Sequence, residues 1–407
     1  MGAVTLRVGN LDAMIGYYRE AVTLNLLSQD GAVAVLGRGT TPIVILQHAP
    51  ELTAPEPKAA GLFHTAIVFD TQADLAAAVY SVATKHPGTF TGSADHLVSQ
   101  AFYFSDPEGN GLELYWDRDR STWSWTHGQV EMATLSLDPN AFITEHITEA
   151  GFAEAGMTGP GPANPSTGNA VVGHVHLSVG DVASAREFYV NQLGFETTAA
   201  LGSSALFVSA GGYHHHMAMN TWNSAGSGKR RLALGLGEVS IIVPTSDDLG
   251  ALNERMSHHG IGTRDDRQTL SFDDPRANRV AVRQAAAPHP VAPGAQTLPA
   301  TISLRRFCPF RPSLTCTPGQ LDRKCQGRRK RQLGGGSLAG STTGVEASVA
   351  SRGGFVHALC ARQAPVPETI ARRVFRRPAG VSTDTITGLR LDYRTRATVE
   401  VSTGLRL

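Results

Sequence analysis

One carboxylate, Glu113, stands inside a stretch that predicts a strand, a tight turn and a second strand: 102–116, FYFSDPEGNGLELYW. The turn is Asp106–Asn110, in which Pro presets φ and Gly and Asn tolerate positive φ. Glu113 follows in the second strand among apolar neighbours. A carboxylate at such a position is costly to bury unless it is paired with a cation or bound to a metal. Its chemistry is therefore that of an ion-pair partner or a metal ligand.

Histidines in apolar surroundings are the other residues with metal-binding or acid–base chemistry. They are His64, His174, His176 and the triple His214–His216. A neutral imidazole binds transition metals and transfers protons near neutral pH. A single buried histidine is, however, more often a hydrogen-bonded core residue than a ligand. The choice depends on which elements hold these side chains and which way each strand faces.

An internal repeat supplies those elements. Residues 4–18 (VTLRVGNLDAMIGYY) align without a gap with residues 175–189 (VHLSVGDVASAREFY). Each copy begins with apolar residues at every second position, which predicts a strand, and continues with apolar residues at helical spacing. Asn10 and Asp181 stand where the helix would begin and suit the N-cap.

Two further copies share this outline, with first strands at 63–70 and 239–244. The last copy repeats the turn of the opening stretch as SFDDPRANRVAV (271–282), with Ala277 in place of Gly109. Each copy predicts the order β-α-β-β-β, starting near residues 3, 62, 173 and 238. The chain is therefore expected to be an α+β protein of four modules.

This arrangement resembles the vicinal oxygen chelate superfamily, which includes glyoxalases, bleomycin-resistance proteins and dioxygenases. The resemblance rests on four segments: 106–116 (DPEGNGLELYW), 173–181 (GHVHLSVGD), 185–195 (AREFYVNQLGF) and 211–222 (GGYHHHMAMNTW). It implies that βαβββ modules pair into two half-open barrels around a metal. Within the superfamily, the pattern is most similar to the catechol 2,3-dioxygenases, the type I extradiol enzymes.

The resemblance and the composition together predict four regions. Modules one and two occupy 1–122, a connecting segment 123–170, modules three and four 171–284, and a basic low-complexity tail 285–407. Trp123–Ala155 within the connecting segment is expected to add a strand and a helix between the two halves.

The strand period then sorts the candidate ligands. His174 and His176 face the barrel, because the alternate residues of that strand are apolar and pack on the helix. The barrel-facing position matching His174 in module two holds His64, on the same module as Glu113. The corresponding positions hold Ala3 and Gln47 in module one, and Glu238 and Ala281 in module four.

Modules two and three therefore offer His64, Glu113 and His174, while modules one and four offer a poor metal site. Two imidazoles and a carboxylate bind ferrous iron on one face and leave other positions open. The predicted cofactor is Fe(II), with Mn(II) as the alternative. Dioxygenases of this class usually keep the metal in their last two modules. Here the candidate ligands lie in modules two and three instead, which implies that these two modules form the metal-binding barrel.

The resemblance also implies the residues around the metal. His96 and Tyr103, which precede Glu113, resemble the substrate-contacting pair of the family. His214 or His216 resembles its acid–base histidine; alternation along a strand would put these two on one face and His215 on the other. His176 faces the barrel and is a further candidate for the pocket.

These features imply extradiol cleavage of a catechol-like aromatic diol with O₂. One alternative is a glyoxalase-like metal-dependent lyase or isomerase, which would favour four protein ligands. Another is a non-catalytic small-molecule-binding protein of the same fold, but such proteins lose the His/Glu set. The oligomeric state, including a homo-oligomer, stays open.

Charge is divided sharply along the chain. Residues 285–407 carry 19 Lys and Arg against 6 Asp and Glu, and hold all four cysteines, whereas 1–284 carry 17 against 29. Low hydrophobicity and a Gly, Pro, Ser and Arg bias predict a disordered tail. Its run Arg328–Arg331 is weak support for nucleic-acid binding. Because no apolar run reaches membrane-spanning length and the first residues do not resemble a signal peptide, the expected location is cytoplasmic.

Overall fold

The structure is a computed structural model that describes residues 1–155 and 168–285. Predictions for the tail beyond residue 285, including its disorder, its cysteines and Arg328–Arg331, lie outside the described residues. The predicted boundaries of the four regions stay predictions.

Modules one and two each begin with a strand and a helix and continue with three strands, as predicted. Module one consists of β1 (Val4–Val8), α1 (Leu11–Gly16), β2 (Asn25–Asp30), β3 (Val33–Arg38) and β4 (Thr41–His48). Module two consists of β5 (Gly61–Phe69), α2 (Gln72–Lys85), β6 (Phe90–Asp95), β7 (Ser99–Ser105) and β8 (Gly111–Asp117). A π-helical turn, Tyr17–Ala21, extends α1, and a short 3₁₀ turn, Pro87–Thr89, precedes β6.

The segment that follows module two contains both strands and helices, where one strand and one helix were predicted. Its elements are a 3₁₀ turn (Arg120–Thr122), the hairpin of β9 (Trp125–Thr126) and β10 (Gln129–Val130), and the helices α3 (Pro139–His146) and α4 (Glu149–Ala155). Within the described ranges, no helix is both long enough and apolar enough to cross a membrane.

Modules three and four repeat the order of the first two. Module three consists of β11 (Ala170–Ser178), α5 (Val182–Arg186) with its π-helical continuation Glu187–Gln192, β12 (Glu196–Leu201), β13 (Ala205–Ser209) and β14 (Met217–Asn220). Module four consists of β15 (Gly235–Val243), α6 (Ser246–His258), β16 (Arg264–Asp265), β17 (Thr269–Asp273) and β18 (Arg279–Gln284).

These strands form two curled sheets of eight strands each, the half-open barrels that were predicted. One sheet has the order β12-β13-β14-β11-β5-β8-β7-β6 and joins modules three and two. The other has the order β16-β17-β18-β15-β1-β4-β3-β2 and joins modules four and one. The α+β class is confirmed, and so is the prediction that modules two and three share a barrel. We call these the two–three sheet and the one–four sheet.

The period-2 apolar residues of the first strands form the core, as predicted. Val4, Leu6 and Val8 are at most 1% exposed and belong to the same hydrophobic cluster as Tyr18 and Tyr189. Full burial of one such aliphatic side chain contributes about 1.5–3 kcal/mol. The alternate residues of each first strand point to the other side of the sheet and line its concave face.

The turn of the opening stretch recurs in module four with the same hydrogen bonds. Asp106 Oδ1 accepts from the backbone N–H of Asn110 at 2.8 Å, and Asp274 Oδ1 accepts from that of Asn278 at 2.8 Å. The other carboxylate oxygen of each reaches the preceding module in the chain: Tyr18 Oη donates to Asp106 at 3.1 Å, and Tyr189 Oη to Asp274 at 2.9 Å. The repeated turn therefore links module one to two and module three to four.

Candidate metal centre

Module two brings His64 and Glu113 together on neighbouring parallel strands. Residue 66 of β5 pairs with Glu113 of β8. His64 stands two residues before this pair on β5, so the His64 and Glu113 side chains point to the same face of the sheet. The two strands approach closely at Gly111, where an added Cβ would lie 2.0 Å from the carbonyl oxygen of Phe63. Glycine at 111 is therefore required for the spacing between the two candidate ligands.

His174 comes from module three, on strand β11, which pairs antiparallel with β5. A register shift between Val172 and His174 leaves Gly173 as a bulge. A Cβ at Gly173 would lie 1.7 Å from Tyr115 Oη, so the Tyr115 hydroxyl takes the place of a side chain there. The bulge re-aims the following residue, as bulges beside functional sites commonly do.

The three side chains converge on one point. His64 Nε2 lies 2.9 Å from Glu113 Oε2, and His174 Nε2 lies 3.1 Å from the same oxygen. One ligand atom from each residue lies within 4.8 Å of the others, and all three residues are at most 5% exposed. His64 Nε2 is buried and has no partner with hydrogen-bond geometry. An orphaned donor nitrogen beside a buried carboxylate matches a metal site better than an ordinary ion pair.

The surroundings of His174 and Glu113 favour the protonation states of these two residues that bind a metal. Burial lowers the pKa of His174 to about 4, opposed by the neighbouring Glu113, so the ring is neutral at pH 7. Burial would raise the pKa of Glu113, but the adjacent imidazoles of His174 and His64 hold it well below its usual value. A neutral imidazole and an ionised carboxylate are the forms that coordinate metals.

Two imidazoles and one carboxylate on one side of a buried point therefore fit a divalent transition metal. Within residues 1–155 and 168–285, this is the one group of three such side chains that converges in this way. In the one–four sheet, the predicted loss of the site is accompanied by an ion pair: Arg283 Nη2 lies 2.9 Å from Glu238 Oε1. Ala281, at the position that matches Glu113, is fully buried.

His96 and Tyr103 form a hydrogen-bonded pair at the edge of this cluster. The Tyr103 ring lies 5.6 Å from the His64 ring, and Tyr103 pairs with Glu113 across β7 and β8. His96 Nδ1 donates to the Ala133 carbonyl at 2.7 Å, because a carbonyl only accepts. Its Nε2 then accepts from Tyr103 Oη at 2.8 Å. The hydrogen bond orients the Tyr103 hydroxyl; a substrate-contacting role for the pair stays a prediction.

His176 lies on the barrel side of β11, as predicted, opposite His64 in the strand pairing. Their rings are perpendicular with centroids 4.9 Å apart. Asn220 Nδ2 donates to His176 Nε2 at 2.9 Å. Phe63 and Trp222 pack against the His176 ring at 4.9 and 5.6 Å. These rings give the concave side of the cluster an aromatic wall.

The histidine triple does not lie in a strand, which corrects the predicted alternation. β14 begins only at Met217, because Gly211 and Gly212 before the triple adopt φ of 68° and 70° and form a turn. His216 Nδ1 is 2.8 Å from Ser209 Oγ. His214 Nε2 is 2.9 Å from Asp117 Oδ1. The positions of these two histidines therefore follow from the turn and not from the alternation of a strand.

His215 is the member of the triple whose ring lies nearest to the cluster, although alternation along a strand would have put it on the opposite face from His214 and His216; the His214 ring lies 5.9 Å from that of His174. The His215 ring lies 4.1 Å from that of His174. Burial lowers the pKa of His215 well below its ordinary value, so the ring is neutral at pH 7. The signal that could have identified it is the Gly211-Gly212 pair, which favours a turn and so cancels the alternation argument.

Comparisons with known proteins show the family. The sequence model of a family described as "Glyoxalase/Bleomycin resistance protein/Dioxygenase superfamily" matches residues 1–114 and 171–281. A catechol-2,3-dioxygenase of Bacillus subtilis (strain 168) is 31% identical over 280 residues, which cover 68% of this chain and 93% of that protein.

Similarity to solved structures is lower. Glyoxalase I from Zea mays has a TM-score of 0.41 at 18% identity, covering 70% of this chain and 92% of that one. The 2,3-dioxygenase LapB from Pseudomonas sp. KL28 has a TM-score of 0.24 at 16% identity, covering 71% of this chain and 93% of that one.

Proposed function

The chain belongs to the glyoxalase/bleomycin resistance protein/dioxygenase superfamily, and on this premise we propose that it is an extradiol dioxygenase that cleaves a catechol-like aromatic diol with O₂. The observation that carries the proposal is the convergence of His64, Glu113 and His174 on one buried point. A set of three protein ligands leaves coordination positions open for a diol and O₂. A glyoxalase-like lyase or isomerase would favour a fourth protein ligand, so the triad favours the dioxygenase.

His64, Glu113 and His174 would hold Fe(II), with Mn(II) as the alternative. The ion would supply Lewis acidity that lowers the pKa of phenolic hydroxyls, together with one-electron chemistry towards O₂. The chain contributes a dry, preorganised cradle. Because His174 is neutral and Glu113 is ionised before binding, metal binding would release few protons from these two residues.

The aromatic wall would hold the substrate ring in a fixed orientation. Phe63 and Trp222 lie 5.5 Å apart with perpendicular rings and flank His176. Offset and edge-to-face ring contacts of this kind bind flat aromatic molecules and exclude water. Orientation of bound reactants removes part of the entropic barrier to reaction.

Tyr103 would hydrogen-bond one ring oxygen of the substrate. Its own hydroxyl proton is directed to His96 Nε2, so in a hydrogen bond with a substrate hydroxyl the Tyr103 oxygen would be the acceptor. The Ala133 carbonyl keeps the His96 proton on Nδ1 and so maintains this direction. In this proposal His96 therefore orients the Tyr103 hydroxyl, and Tyr103 makes the contact with the substrate.

His215 is our candidate for the acid–base residue, in the role for which the sequence suggested His214 or His216. Its neutral ring at pH 7 has Nδ1 engaged with His214, so Nε2 is the nitrogen that would accept a proton from the diol and return it to the product. Positioned proton transfer of this kind contributes about 10²–10⁴-fold to enzymatic rates.

The experiment is an oxygen-dependent assay. Full-length protein is loaded anaerobically with Fe(II), mixed with catechol and substituted catechols, and exposed to air. We expect ring-opened semialdehyde or keto-acid products and consumption of one O₂ per diol. Tight Fe(II) binding without a ring-opened product from any catechol would refute the dioxygenase proposal, and turnover of a glutathione hemithioacetal instead would favour the lyase or isomerase alternative.

A further inference from the structure

A chain of hydrogen bonds leads from Asp117 to His215, which lies beside the candidate metal cluster. Asp117, at the end of β8, accepts from Tyr213 Oη at 2.7 Å through Oδ2, and its Oδ1 lies 2.9 Å from His214 Nε2. His214 Nδ1 lies 2.7 Å from His215 Nδ1. The His215 ring then packs on His174. Two side chains, His214 and His215, thus connect a carboxylate that is 24% exposed to a candidate metal ligand.

With an ionised carboxylate and neutral imidazoles, one arrangement of protons satisfies both hydrogen bonds. An ionised carboxylate only accepts, so His214 donates through Nε2–H to Asp117. The tautomer of His214 that carries its single proton on Nε2 has a bare Nδ1, and this nitrogen accepts from Nδ1–H of His215. His215 Nε2 is then left bare, and no described residue forms a hydrogen bond with that nitrogen.

We propose that Asp117 and His214 are positioning residues that hold the proton of His215 on Nδ1 and present its bare Nε2 to the substrate pocket. This inference rests on the proposed function for its catalytic meaning. The opposite tautomer would turn an N–H into the pocket, where it could not accept a proton. Orientation of a ring by the hydrogen bond on its other nitrogen is a general device for histidine.

Further contacts hold this chain of hydrogen-bonded side chains in place. The Tyr213 ring lies 4.1 Å from that of His214, and Trp123 lies 5.3 Å from it on another side. Burial raises the pKa of Tyr213 well above its ordinary value, so its hydroxyl stays protonated and donates to Asp117. With Tyr213 on Oδ2 and His214 on Oδ1, both oxygens of Asp117 are engaged, which prevents the carboxylate from rotating.

The test uses full-length protein labelled with ¹⁵N-histidine and saturated with Zn(II), a diamagnetic ion that accepts the same ligand types. Two-bond ¹⁵N–¹H correlation spectra report which ring nitrogen carries the proton, and the His215 signal is assigned by its loss in His215→Gln. We expect protonated Nδ1 and bare Nε2 in the wild type. In His214→Phe, which keeps an aromatic ring but removes the acceptor, the His215 proton should redistribute between both nitrogens.

Two variants separate positioning from simple packing. His214→Gln offers an amide that can donate to Asp117 and accept from His215, so it should restore the Nδ1–H tautomer. Asp117→Asn should weaken the tautomer preference. Asp119→Asn is the matched control, because Asp119 is exposed and its carboxylate bonds only Ser121 among the described residues.

Kinetics on the Fe(II)-loaded enzyme complete the test. We expect kcat to fall about 100-fold or more in His214→Phe and about 10-fold in Asp117→Asn. KM for catechol and the affinity for Mn(II) should stay within about twofold, since neither residue is a ligand. The same tautomer distribution for His215 in the wild type and His214→Phe would overturn the inference. The expected tautomers in a protein that cleaves no catechol would instead refute the proposed function and leave the positioning intact.

Discussion

Replacement of Glu113 by Gln tests the metal centre most directly. The change keeps the size of the side chain and removes the only negative charge in the donor set. In the wild type, Glu113 Oε2 lies within 3.1 Å of both imidazole nitrogens, so no other described carboxylate can take its place in that triad. Glu238→Gln is the matched control, because Glu238 lies on the one–four sheet and pairs with Arg283.

The magnitude follows from linkage between binding and folding. A metal present at 100 times its Kd stabilises the native state by about 2.7 kcal/mol. For a folded region of this size that corresponds to a rise in Tm of roughly 5–10 °C. Mutation of a residue that only hydrogen-bonds to a metal ligand typically lowers metal affinity 10–100-fold. Loss of the ligating carboxylate itself should therefore lower the affinity at least about 100-fold. At the same metal concentration, the stabilisation then falls to about 0.4 kcal/mol.

The assay compares each protein with its own metal-free form, so that any effect of the substitution on folding cancels. Thermal unfolding is recorded with and without Mn(II) under anaerobic conditions, and calorimetric titration gives the Kd and the stoichiometry. We expect one ion per chain for the wild type and Glu238→Gln, and almost no metal-induced shift for Glu113→Gln. A full shift in Glu113→Gln, or its loss in Glu238→Gln, would show that the metal binds elsewhere.

Three further predictions concern the scaffold. Ala277 adopts a φ of 62° where Gly109 has 84° in the matching turn; Ala277→Gly should therefore raise the free energy of unfolding by about 1 kcal/mol in urea denaturation. Gly173→Ala places a Cβ 1.7 Å from Tyr115 Oη, so it should lower Tm and weaken Mn(II) binding together; unchanged values for both would contradict the packing described here. Burial raises the pKa of Asp106 to about 6 from 3.8, so the native state binds more protons between these values. The contribution of Asp106 to the free energy of unfolding should fall by up to about 3 kcal/mol as pH rises from about 4 to 6, and Asp106→Asn should remove this slope.

The module order and the candidate ligands could be predicted because both depend on local periodicity. Alternation places every second residue of a strand on one face whatever the partner strand is, so His64, Glu113 and His174 could be compared position by position. The N-caps followed in the same way: Asn10 Oδ1 accepts from residue 13, and Asp181 Oδ1 from residue 184. Such contacts span three residues and are visible in the sequence.

Contacts between distant segments could not be predicted by the same reasoning. His214 and Asp117 are 97 residues apart, and the hydroxyl of Tyr115 reaches the backbone of Gly173 in another module. His215 was assigned to the wrong face because alternation was applied to residues that form a turn. Period-2 reasoning holds only where the ladder of backbone hydrogen bonds is regular, and it fails beside paired glycines with positive φ.

The location of the cluster on the β5–β11 pairing has a consequence for the architecture of the protein. Two ligands come from one half of the chain and the third from the other, so neither half alone can complete the coordination sphere. A bound ion would act as a cross-link between the halves, and its release rate would report how readily they separate. The site is thus equivalent to one shared by two subunits, except that a single polypeptide fixes the ratio at one metal centre for every two pairs of modules.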